Sequence, residues 1–102
     1  MDRHTAGGVE ERLGQPDILV QLAEECSELA QVALKLQRCL EGRNPVRRTQ
    51  KWLEIALVEE AADVLLSMRH IPLIRDQKTT IDAFMAEKDK RWLKSLEERD
   101  EN

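Results

Sequence analysis

"PDILVQLAEECSELAQVALKLQRCLEG", residues 16–42, decides the fold. Its apolar residues Ile18, Leu19, Leu22, Cys26, Leu29, Val32, Ala33, Leu36 and Leu40 recur at spacings of three and four, the signature of an α-helix with a buried face. Pro16 suits the first turn, where its missing N–H leaves nothing unpaired. Gly42 offers a C-cap, and "GRNP" stops the chain. The pattern predicts a helix over residues 16–41.

Two more helices follow. After "VRRTQKW", the run from Trp52 through Leu53, Ile55, Ala56, Leu57, Val58, Ala61, Ala62, Val64, Leu65, Leu66 and Met68 predicts a helix over 49–70. Pro72 ends it, and Arg69 and His70 read as positive charges suited to its last turn. "LIRDQK" reads as a connector, and Thr79 with Asp82 as a capping box. The third helix is expected over 80–98, with Ile81, Phe84, Met85, Trp92, Leu93 and Leu96 inward. The expected fold class is all-α, a bundle of three main helices in a single domain over 15–98. Residues 1–14 read as a mobile lead-in and 99–102 as a frayed tail. The first two helices are apolar over more than one face, so completion by homo-oligomerisation, as a homodimer or homotetramer, is expected.

Composition agrees. Charged residues make up 35% and aromatics only 3%, with no Tyr, which suits helices of Leu, Ala, Glu and Lys/Arg and argues against a sandwich or barrel. A net charge of −4 gives no electrostatic reason to expect a nucleic-acid polymer as partner. No apolar run reaches the roughly 18 residues that span a bilayer, and the opening residues carry no apolar signal core. A cytoplasmic location is expected, with no membrane partner. Cys26 and Cys39, both on the first helix, read as buried reduced thiols.

The charges are segregated. Between Asp17 and Leu34 lie Asp17, Glu24, Glu25 and Glu28 with no Lys or Arg. Between Leu53 and Met68 lie Glu54, Glu59, Glu60 and Asp63, again without a base. Eight of the 20 acids fall in these windows and none of the 16 bases, so the rest of the chain is net positive. Glu25 and Glu28 share a helix ridge at i, i+3, and Glu60 and Asp63 repeat that spacing. Packed antiparallel, the two helices would turn both pairs toward each other. Clustered carboxylates repel and resist burial, so they are either protonated or neutralised by a cation. No Glu is followed three residues later by His, as in helical di-iron sites, so an all-carboxylate set points to Mg²⁺, with Mn²⁺ as a substitute. His4 lies in the lead-in. The alternative is that these acids merely face solvent.

"EECSE" at 24–28, "EAAD" at 60–63 and "EKDKRW" at 87–92, in that order on three helices, resemble the EExxE…ExxD and Lys-x-x-Arg segments of MazG-like nucleoside triphosphate pyrophosphohydrolases, the all-α NTP pyrophosphatase group. The resemblance implies Glu25, Glu28, Glu60 and Asp63 as Mg²⁺ ligands. It gives Glu24 a supporting part, joining a second metal or orienting water, and Glu59 a less firm one; on physical grounds either is a candidate catalytic acceptor of a water's proton. Lys88 and Arg91 would neutralise a nucleoside triphosphate. The implied activity cleaves a (d)NTP to the monophosphate and pyrophosphate, as house-cleaning of the nucleotide pool. Ala86 departs from the pattern, since many relatives carry Asn there, which bears on substrate preference.

Arg43, Arg47, Arg48 and Lys51 read either as a solvated connection or as further contacts to triphosphate. Lys90 and Lys94 read as surface charges. Trp52 and Trp92 suit core or dimer anchors, or base-stacking platforms. Against the enzyme stands a different class, a non-catalytic helical interaction or regulatory dimer with an acidic surface patch.

Overall fold

The computed structural model describes residues 6–42 and 47–101. Those residues are all-α, with no strand among them: α1 Ala6–Arg12, α2 Gln15–Glu41, α3 Gln50–Arg69, α4 Pro72–Arg75 and α5 Lys78–Glu101. The three long helices lie where the periodicity puts them. His4 and Arg43 fall outside the described residues. Two compact units divide the chain, Met1–Ile71 and Pro72–Asn102.

In the first unit α2 packs along α3 as an antiparallel hairpin. Pro16 sits in the first turn of α2, and Gly42 closes the helix at φ 66°, where its N–H donates to the Cys39 carbonyl at 3.2 Å. That left-handed conformation is one a glycine adopts without strain. Thr49 caps α3, its Oγ1 accepting from the Trp52 N–H at 3.1 Å.

The facing stripes follow a seven-residue repeat. On α2, Ile18, Leu22, Glu25, Leu29, Val32 and Leu36 are buried or half-buried; on α3 and just beyond it, Leu53, Leu57, Glu60, Val64, Ser67 and Ile71 are. Leu53 and Ile71 are fully buried. Each stripe therefore gives one inward position to a glutamate. Cys26 lies one residue beyond that position and is exposed, while Cys39 is half-buried; both thiols are free. The expectation of buried thiols is corrected, because a helix packed on a single neighbour covers only one narrow stripe.

In the second unit the connector contains the short helix α4, and α5 begins at Lys78. Thr79 is already inside the first turn, and Asp82 accepts from Lys78 Nζ at 2.9 Å, so these two residues form no capping box. No residue of α5 is buried. Of its expected inward set, Ile81 and Leu96 are half-covered, whereas Phe84, Met85, Trp92 and Leu93 are exposed, since α4 is too short to cover the stripe. No helix among the described residues is long and apolar enough to cross a membrane.

Candidate metal centre

The inward glutamates of the hairpin meet. One carboxylate oxygen each from Glu25 on α2 and Glu60 and Asp63 on α3 lie within 4.8 Å of one another. Glu25 and Glu60 are half-buried and Asp63 is exposed. Gln21 Nε2 donates to Glu25 Oε1 at 3.0 Å. The other oxygens, Glu25 Oε2 and Glu60 Oε2, are buried without any hydrogen-bond partner. Neither a lysine nor an arginine pairs with any of the three acids among the described residues.

Burial pushes the Glu25 carboxyl above its ordinary value, and the charges of Glu28, Asp63 and Glu60 push the same way. Glu60 is raised by burial, then by Glu28, Asp63 and Glu59. Glu28 is exposed and outside the close trio, yet its charge bears on both half-buried acids. Side-chain hydrogen bonds of Glu25 with Asp63 and of Glu60 with Glu28 add to the rise. Such a shared repulsion is relieved by a shared proton or by a hard cation, and an all-oxygen donor set fits Mg²⁺ or Mn²⁺. The residues present therefore fit such an ion.

Glu24 and Glu59 are exposed on the flanks of α2 and α3, outside the trio. Lys88 and Arg91 are exposed on α5 in the second unit. Lys88 stands seven residues after Ile81 and four before Trp92, so it interrupts the apolar stripe of that helix rather than its polar side. Trp52 and Trp92 are 47% and 69% exposed, which removes both from any core of the single chain. The Arg48 guanidinium lies 4.6 Å from the Trp52 ring centroid, a cation–π contact. Arg47 and Lys51 are exposed beside it.

A pocket of about 250 Å³ adjoins the carboxylates. Val9 and Leu13 form its α1 side, Ile18, Gln21 and Glu25 its α2 side, and Asp63, Leu66, Ser67 and His70 its α3 side. Ser67 Oγ donates to the Asp63 carbonyl at 3.0 Å. His70, read from sequence as a helix-end charge, is 8% exposed, and its Nδ1 lies 3.1 Å from Glu10 Oε2. The sequence reading missed this pocket. Of its polar residues only Ser67 lies on an inward stripe, and that register was the available signal; Gln21 and His70 each stand one residue before a stripe position.

Neither the protein-family models nor the curated proteins nor the solved structures give a match to this chain. What fold and site together define is a helical protein with a carboxylate-walled pocket.

Proposed function

We propose that the protein is a Mg²⁺-dependent nucleotide pyrophosphohydrolase, hydrolysing the anhydride between the α- and β-phosphates of a (d)NTP. The observation that carries this reading is the convergence of Glu25, Glu60 and Asp63 within 4.8 Å, with two buried oxygens left unpartnered. Glu25, Glu60 and Asp63 hold the ion, and Glu28 joins them as the fourth ligand that its resemblance to the MazG-like pattern assigns. Bound there, Mg²⁺ supplies positive charge to the phosphate oxygens and acidifies a water. Glu24 or Glu59, exposed beside the ligands, accepts the water's proton. The resemblance assigns Lys88 and Arg91 to the anionic phosphates. Phosphoryl transfer needs chiefly positioning and electrostatics, so carboxylates and two bases suffice.

The pocket beside the carboxylates receives the organic portion of the nucleotide. At about 250 Å³ it falls just below the roughly 300 Å³ at which small-molecule sites begin, which suits one ring system rather than a whole nucleotide. Apolar Val9, Leu13 and Leu66 with the polar ends of Gln21, Ser67 and His70 suit a flat group that both stacks and hydrogen-bonds.

The working form is a homodimer or homotetramer. Among the described residues sixteen large apolar side chains are exposed, including Ile55, Val58 and Leu65 along α3 and Phe84, Met85, Trp92 and Leu93 along α5, more than an isolated chain leaves in water. House-cleaning of the nucleotide pool places such an enzyme in the cytoplasm. Incubation with a panel of NTPs and dNTPs, with and without Mg²⁺, tests the activity. Pyrophosphate release that requires the metal is expected, and no release from any nucleotide would sink the enzyme in favour of an interaction module.

A further inference from the structure

The pocket has one wall unlike the others. α2 and α3 hold each other along their length, whereas α1 is a seven-residue helix, AGGVEER, far below the roughly 12 residues at which an isolated helix becomes even marginal. Tertiary contact must therefore keep it in place. Its apolar contribution is thin: Val9 is 39% exposed, and Leu13, just beyond the helix, 43%. The specific contact is the one between Glu10 and His70, residues sixty apart in sequence. A buried imidazole needs a polar partner, and Glu10 provides it.

We propose that Glu10 and His70 are positioning residues for the pocket: the contact between them seats α1 as one wall and so sets the width of the slot. Leu13 and Gly14 link α1 to α2: the Leu13 N–H donates to the Val9 carbonyl at 2.9 Å, and the Gly14 carbonyl accepts from the Asp17 and Ile18 N–H groups at 3.1 and 3.2 Å. That the slot's ligand is the organic part of a nucleotide rests on the function proposed above; the latch itself does not.

Glu10 faces the imidazole from α1, and two further acids, Glu25 from α2 and Asp63 from α3, line the same pocket. Arg69 is adjacent in the chain but exposed and does not line the pocket. An imidazole N–H donating to a carboxylate makes a charge-assisted bond, stronger than the same bond to a neutral amide.

Amide-exchange protection of α1 in the full chain tests this. Glu10→Gln keeps the side chain's shape but removes its charge, and protection should fall about tenfold. The double variant Glu10→His with His70→Glu should restore it. Equal protection in Glu10→Gln and wild type would overturn the latch, as would failure of the folded double variant to restore it. With nucleotide, Glu10→Gln should raise KM several-fold and leave kcat in place; a fall in kcat at constant KM would equally overturn the positioning role. Should the wild type cleave no nucleotide, the proposed function fails while the exchange result still decides the latch.

Discussion

On α5, Asp82 stands in water with the Lys78 ammonium 2.9 Å away; on the α2–α3 hairpin, Glu25 and Glu60 are half-buried and each keeps one oxygen without a partner. Both regions are amphipathic helices rich in acids. The difference is where the acid falls relative to the apolar stripe. Asp82 lies at the stripe's edge, where solvent and a base one turn before it neutralise it locally. Glu25 and Glu60 occupy stripe positions themselves, flanked by Leu22 and Leu29 and by Leu57 and Val64. An acid on the rim of a helix is solubility, while an acid in its seam is a cost that needs a reason. The comparison predicts that the two regions respond very differently to the same substitutions.

The largest expected effect is on catalysis. Asp63 is exposed, so Asp63→Ala should leave the fold intact while lowering metal-dependent pyrophosphate release by about two to three orders of magnitude. Asp82→Ala on α5 should leave release unchanged. Equal losses from the two would erase the distinction between seam and rim.

Next is stability against pH and metal. Glu25 and Glu60 both titrate above their ordinary value of 4.5. A carboxyl raised by folding contributes stability that is complete below its unfolded value and is lost as the pH rises through the raised one. The metal-free protein should therefore lose melting temperature from mildly acidic pH toward neutrality, and Glu25→Gln with Glu60→Gln should flatten that decline. Mn²⁺ or Mg²⁺ at 100 times its Kd should return about 2.7 kcal/mol at neutral pH by linkage. Thermal melts across pH, with and without the ion, measure both. A melt indifferent to the ion at every pH would leave the seam acids without their neutralising partner.

Much of this was legible in the sequence, and the limits have physical causes. Pro16 and Gly42 mark the ends of α2 because their backbone chemistry acts locally. Acid segregation revealed Glu25, Glu60 and Asp63 because it needs only the order of charges. The register of the seam was misread at one step: Cys26 looks like the apolar choice after Leu22, but the repeat through Ile18, Leu22, Glu25 and Leu29 turns Glu25 inward. Hydrophobicity favours the cysteine, and helix geometry favours the glutamate. On α5, periodicity identified the apolar stripe but not its cover, because burial depends on a neighbour. The Glu10–His70 pair joins residues sixty apart, and no local pattern announces such a contact.

The smaller effects separate local from tertiary stabilisation. Thr49 caps α3 at the foot of the seam, and Thr49→Ala should cost about 1 kcal/mol in denaturant titration, because the Trp52 N–H loses its acceptor as the helix that carries Glu60 and Asp63 begins. Lys78→Ala removes the partner of Asp82, a surface i, i+4 pair worth about 0.3–0.5 kcal/mol, and salt should abolish even that. The ordering matters more than either value. Thr49 acts on the packed hairpin and so on global unfolding, whereas Lys78 acts on a helix whose apolar stripe lies open. A Lys78→Ala loss as large as that of Thr49→Ala and insensitive to salt would mean that this end of α5 is buried in the assembled protein, and the contrast between rim and seam would then hold for the single chain alone.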